Sequence, residues 1–248
     1  MIATARGQNL TYSIVEDLGV AIVTGTYSSK KAFPVESELC KRYGVSRSIL
    51  REAVKMLTAK GLLGSRPRRG TWVQEEDLWN LLDPDVLRWM LERKFSFTLL
   101  TEFNQVRLAI EPKAAALAAG AGLEEKKAVE AAILRMVESE LVQDDPLEPD
   151  IAFHVAILRA SGNGFYSRLS ELIETALRFS IRMTNRQAGV RSVAAHKKVS
   201  DAILAGDAAD AETAMRALIL DALAQIRKAE VSAKPRGKIQ PAKGHTSG

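Results

Sequence analysis

Cysteine is almost absent. The 248-residue chain has one, Cys40, so no internal disulfide is available and the fold must stand on its apolar core. Cys40 sits in a helical pattern and reads as a small buried hydrophobe, with a redox-sensing thiol as the other reading. Long hydrophobic runs are also missing. Nothing approaches the roughly 20 apolar residues needed to cross a bilayer, and the N-terminus lacks the basic-then-apolar order of a secretion signal. Both absences predict a cytoplasmic protein with no membrane partner. Histidine is scarce, so any site built on imidazole must draw on His154, His196 and His245.

What is present is an apolar fraction of 46%, ordinary for a globular protein, and length enough for two modest domains. Charge divides unevenly along the chain. Residues 1–75 carry 12 Lys and Arg against 6 Asp and Glu, residues 76–226 carry 17 against 23, and residues 227–248 carry 6 against 1. Positive charge thus gathers at the two ends, where it is suited to neutralising phosphates.

The basic first part is patterned as a reading head. An amphipathic helix over residues 12–25 follows a loose arm at 1–9. A second helix is predicted from Val35 to Tyr43, with Pro34 where a first-turn proline is tolerated, Glu36 and Glu38 at the end that favours negative charge, and Gly44 at its close. Ser46 is placed to cap a third helix, Arg47 to Lys60, whose Leu50, Val54 and Leu57 recur at helical spacing and turn one face inward. Ser46, Arg47, Ser48 and Arg51 are then left at its exposed start. Beyond Gly61, two short extended runs flank Pro67-Arg68-Arg69-Gly70, a cationic hairpin tip. A helix presenting arginine and serine at its N-terminal end fits the DNA major groove, and a basic tip formed by Arg68, Arg69 and Gly70 reaches backbone or minor groove beside it. The competing reading is a small helical domain with a solvated charged face.

In these residues the chain resembles the winged helix-turn-helix domain of the GntR superfamily. The resemblance is carried by Pro34, Glu36, Leu39, Val45, Ser46, Arg47, Arg51, Glu52, Ala53, Gly61 and the wing end Gly70-Thr71-Trp72-Val73. It implies a regulator that binds double-stranded operator DNA. Two positions depart from the pattern: Ser37 stands where an arginine is common, and Arg68 where glycine is common.

The predicted organisation is a head over 1–75, a linker over 76–85 whose apolar residues suggest packing, a helical domain over 86–229, and a disordered basic tail over 230–248. The fold class is mainly α, with one small β-hairpin wing and an antiparallel all-α bundle. Seven helices are read after the linker, including a single helix over 166–186. No alternating strand pattern appears there, and the breaks at Gly120-Ala121-Gly122, Ser161-Gly162-Asn163-Gly164 and Gly206-Asp207 suit antiparallel neighbours. The tail is either a non-specific clasp on DNA or a solvated end.

Asp150 and His154 are four apart on one predicted helix and so share a face, while His196 belongs to another. Spacing leaves open whether these residues hold a metal or form ordinary core hydrogen bonds. From about Val106 to Leu223 the chain resembles the ligand-binding domain of the FadR-type, or FCD, branch of the same superfamily. That resemblance implies a small carboxylate effector and a divalent metal (zinc, nickel or manganese) on Asp150, His154 and His196. It also implies Arg107 as a cavity arginine, with Arg178 a further candidate for the acid. The other reading of Arg107 is a salt bridge to Glu111 one turn on. Leu218 occupies the place of a fourth metal ligand and cannot donate electrons. The stretch Leu78 to Glu92 is similar to sugar-acid-responsive repressors of this branch and favours an aldonate. The expected assembly is a homodimer, two heads matching two half-sites. Two rivals stay open: a metal-dependent enzyme on the same three residues, and a DNA-binding protein that needs no effector.

Overall fold

Apolar residues three and four apart organise most of the chain as helix. The computed structural model has eleven α-helices and one two-stranded sheet among the residues it describes, which are 2–66, 68, 70–93, 96–142, 145, 147–188 and 193–233. None of the described helices is long and apolar enough to cross a membrane.

The head is built from α1 (Ile2–Val23), α2 (Glu36–Tyr43), α3 (Arg47–Ala59) and the hairpin β1 (Leu63–Arg66) and β2 (Gly70–Val73). Residues 2–9, expected as a loose arm, continue α1 instead. No proline interrupts this stretch, and extending an existing helix costs far less than starting one. Gly44 closes α2 in the left-handed region at φ 63°. Ser46 stands at the N-cap of α3 with extended backbone but does not cap it, because its Oγ lies 2.9 Å from Ser48 Oγ. The strands pair antiparallel with Leu63 opposite Val73 and Arg66 opposite Gly70. Gly61 is required where α3 meets the linker: its φ is +78°, and a Cβ there would lie 2.4 Å from the Leu78 carbonyl oxygen. Ile14, Leu18, Leu39, Leu50, Leu57 and Leu62 fill the head core, and Cys40 packs half-buried beside it.

Asp83 and Pro84, which fall in the expected linker, are a helix start. Asp83 Oδ1 accepts from the backbone N–H groups of Asp85 (3.0 Å) and Val86 (3.2 Å), and Pro84 opens α4 (Pro84–Arg93) where its missing N–H costs nothing. This helix serves two cores. Val86, Trp89 and Met90 complete the head core, while Leu87 and Leu91 enter the core of the bundle. Trp89 lies against Gly19 of α1, where a Cβ would come within 2.4 Å of the ring.

The bundle follows: α5 (Phe97–Ala119), α6 (Leu123–Val142), α7 (Leu147–Ala160), the short α8 (Gly164–Arg168), α9 (Ser170–Ala188), α10 (Val193–Ala205) and α11 (Ala208–Ala233). Ser96 caps α5 through its hydroxyl, which accepts from Leu99 N–H at 3.2 Å. The helix expected over 166–186 is two helices, divided at Leu169, and the first begins two residues earlier because Asn163 caps it. Residues 230–233, assigned to the tail, are the last turn of α11; the rest of the predicted tail, with His245, lies outside the described residues. Helix α5 packs along α11 and against α7 and α10, which places the middle of α5 deep in the bundle.

Candidate functional site

On the head, α3 projects its N-terminal turn outward. Ser46, Arg47, Ser48 and Arg51 are exposed, as are Arg68 and Gly70 at the wing. Arg69, predicted beside them, lies outside the described residues. Glu36 of α2 faces both helix arginines: its Oε2 accepts from Arg51 Nε at 2.9 Å, and its Oε1 lies 3.7 Å from Arg47 Nε. Arg68 sits at the wing tip with φ +66°, the left-handed conformation in which glycine is at ease.

Inside the bundle, α5, α7 and α10 bring five ionisable side chains together. Arg107 and Glu111 come from α5, Asp150 and His154 from α7 and His196 from α10, all at 2% exposure or less. The spacing in α5 is the reason: Asn104, Arg107 and Glu111 are three and four apart and face the same way. Glu111 grips Arg107 through two bonds, Nε to Oε1 at 2.6 Å and NH2 to Oε2 at 3.2 Å. Arg107 NH1 donates to Asn104 Oδ1 at 3.1 Å, and Asn104 Nδ2 donates to the Leu100 carbonyl at 2.8 Å. Across the helix gap, Glu111 Oε2 lies 2.6 Å from His154 Nδ1. The other ring nitrogen of His154 is 3.4 Å from Asp150 Oδ1, and His196 Nε2 is 3.8 Å from Asp150 Oδ2.

One ligand atom each from Asp150, His154 and His196 falls within 4.8 Å of the others. Two imidazoles and a carboxylate are a donor set that divalent zinc, nickel or manganese accepts. The His154 to Asp150 separation is close to the roughly 3.4 Å edge of a tetrahedron with bonds near 2.1 Å. Leu218 is partly buried against the apolar core.

Burial by itself would raise the Glu111 carboxyl, but the Arg107 charge and then His154 reverse this and hold it at about 2. Burial, and after it the Arg107 charge, disfavour the charged imidazole of His154, but the Glu111 and Asp150 carboxylates together outweigh them, leaving the ring easier to protonate than usual.

The three metal candidates therefore converge, and Arg107 converges with them, although through the Glu111 salt bridge. Arg178 stands apart. It is partly exposed on α9 and ion-paired with Glu148 and with Glu174, the latter at 2.8 Å. Residue spacing had a usable signal for Asn104 on the Arg107–Glu111 face. The bond from Glu111 to His154 spans two helices and had none.

At the joint between the two parts, Glu16 of α1 accepts from Arg88 NH1 (2.9 Å), Arg88 NH2 (2.6 Å) and Trp89 Nε1 (2.8 Å). Lys60, at the end of α3, reaches Asp83 at 2.8 Å and Asp85 at 2.9 Å.

Comparison with known proteins follows the same division. Residues 10–73 match the model for bacterial regulatory proteins of the gntR family, and residues 102–221 match the FCD domain. The HTH-type transcriptional regulator YieP of Escherichia coli K12, itself uncharacterised, is 32% identical over 218 residues, covering 87% of this chain and 94% of that protein. The galactonate operon transcriptional repressor of the same organism is 32% identical over 224 residues, covering 89% of this chain and 98% of the repressor. Among solved structures, Lar, which controls expression of the Listeria monocytogenes agr system, shares the fold at a TM-score of 0.55 with 18% identity, covering 88% of this chain and 96% of Lar.

Proposed function

Because this chain belongs to the GntR family of bacterial regulatory proteins and carries an FCD domain behind its winged head, we propose that it is a repressor whose hold on operator DNA is released by a small sugar acid. As a family member it is a DNA-binding transcriptional regulator and not an enzyme, which sets the metal-dependent enzyme aside. The galactonate operon repressor, similar along nearly its whole length, supports an aldonate as the effector class.

The observation that carries this reading is the buried charge cluster. A bundle needs no ionised side chains to stay folded, and burying them is costly unless each is paired. Arg107, Glu111, Asp150, His154 and His196 are nevertheless enclosed, in a domain that shares helix α4 with the head. Asp150, His154 and His196 would hold a divalent ion, which supplies Lewis-acid attraction for carboxylate and hydroxyl oxygens. With Leu218 at the fourth place, positions stay open for the acid. Arg107 adds positive charge beside them, and Arg178 takes part only by leaving its glutamates.

On DNA, Ser46, Arg47, Ser48 and Arg51 read the major groove while Arg68, Arg69 and Gly70 follow the adjacent backbone. Two copies of the chain engage two half-sites. Effector binding favours a bundle state that moves α4 and with it the spacing of the heads.

The test is to select a binding sequence from a random duplex library, then titrate the complex with aldonates and other small carboxylates, with and without zinc, by fluorescence anisotropy. One of them is expected to weaken binding by at least about fivefold, the lower end of allosteric coupling at roughly 1 kcal/mol. No change with any acid, in either metal state, refutes the effector reading and leaves a protein that binds DNA unconditionally.

A further inference from the structure

We infer that Glu111 is the positioning residue of the proposed metal centre: it fixes His154 as the Nδ1–H tautomer, turning Nε2 towards Asp150 and His196, and Arg107 serves to hold Glu111 in place. This rests on the metal reading above.

An ionised carboxylate only accepts, so the 2.6 Å contact between Glu111 Oε2 and His154 Nδ1 requires the proton on Nδ1. A ring nitrogen has one in-plane site, and on Nδ1 it is taken. Arg107 NH2 is 3.3 Å from Nδ1 and 3.4 Å from Nε2; nearly equidistant from the two, it lies along neither in-plane direction and is a neighbouring charge, not the hydrogen-bond partner of either nitrogen. In the neutral ring the remaining lone pair is on Nε2, the nitrogen that faces Asp150 Oδ1 at 3.4 Å. A carboxylate behind a ligating imidazole sets its tautomer and direction and raises its basicity.

Glu111 is itself immobilised. Arg107 holds both its oxygens, and Asn104 and the Leu100 carbonyl hold Arg107, so the support is one face of α5. The Nε and NH2 edge of Arg107, which would make a two-bond grip on an effector carboxylate, is already spent on Glu111. With Leu218 in place of a fourth ligand, each remaining ligand carries more of the affinity, and its pre-orientation matters more.

The experiment uses the full chain and zinc alone. Wild type, Glu111→Gln and the double variant Arg107→Met/Glu111→Gln, which removes both buried charges together, are titrated with zinc against a competing chelator. Nitrogen-15 spectra of the histidine rings are recorded on zinc-loaded wild type and assigned with single His→Gln variants. The expected result is His154 metallated at Nε2 with its proton on Nδ1, and affinity lowered about 10- to 100-fold in the folded variants. Zinc on Nδ1 of His154, or unchanged affinity in a folded variant, overturns the inference while leaving the metal reading intact. If both variants fail to fold, the ring spectra alone decide. Wild type that takes up no zinc removes the metal reading and this inference together.

Discussion

Glu111 and His154 tie the stability of the bundle to pH from opposite sides. The Glu111 carboxyl is depressed to about 2 from an ordinary 4.5, so its contribution is complete above 4.5 and is lost as pH falls towards 2. The His154 ring is raised above 6.5, so its contribution is complete below 6.5 and is lost as pH rises through the folded value. Metal-free protein should then be most stable between these limits and lose melting temperature on the alkaline side. Each lost 1 kcal/mol would show as roughly 2–4 °C in a chain of this size. Scanning fluorimetry with chelator across pH 5.5–9 checks it, and an alkaline decline of equal size in a folded Glu111→Gln variant would contradict the pairing. At the wing, Arg68 has two separable effects. Arg68→Gly should relieve a left-handed backbone costing about 1–2 kcal/mol and lower the salt slope of DNA binding by about one phosphate contact. Arg47→Ala should cost roughly 1–3 kcal/mol of discrimination at one base pair, seen as a loss on the selected duplex and not on random DNA. Equal losses on both duplexes would sink this division of labour. Single residues were partly legible. The i,i+4 pairing of Arg107 with Glu111 follows from helical spacing, whereas the hydroxyl of Ser46 was spent on Ser48, a local competition that residue type does not reveal.

Elements were more legible than residues because their signals repeat. Periodicity located α2, α3 and most of the bundle, and glycine marked the turns after α2 and before α11. The division of α8 from α9 at Leu169 was not readable, since neither glycine nor proline interrupts residues 166–186. The start of α4 lies two residues before the expected boundary at 86, because Asp83-Pro84 carries the chemistry of a linker's end and of a capped first turn alike. That helix makes the sharpest prediction at this scale. Gly19→Ala places a methyl group where the Trp89 ring now lies, so α4 must move away from α1. Overpacking of this kind costs about 1–3 kcal/mol, measurable by urea denaturation, and no loss at all would mean that the ring is free to shift. Glu16→Gln is gentler: it weakens the grip on Arg88 and Trp89. It should leave DNA affinity without effector nearly unchanged while reducing the response to effector.

At the scale of the molecule, the division into a basic head and an acidic bundle was visible in charge alone, and the two family matches fall on the same halves. What charge could not reveal is how the halves are joined, because Val86, Trp89 and Met90 look like any helix of a bundle until their partners in α1 are known. A head cut at residue 75 would lose these three apolar side chains from its core, along with the partners of Lys60 and Glu16. Such a fragment should melt well below one ending after Arg93. For grafting this DNA-binding head onto another helical domain, or giving this bundle a new head, the seam belongs between α4 and α5: the part that can be transplanted is the winged head together with the helix that completes its core.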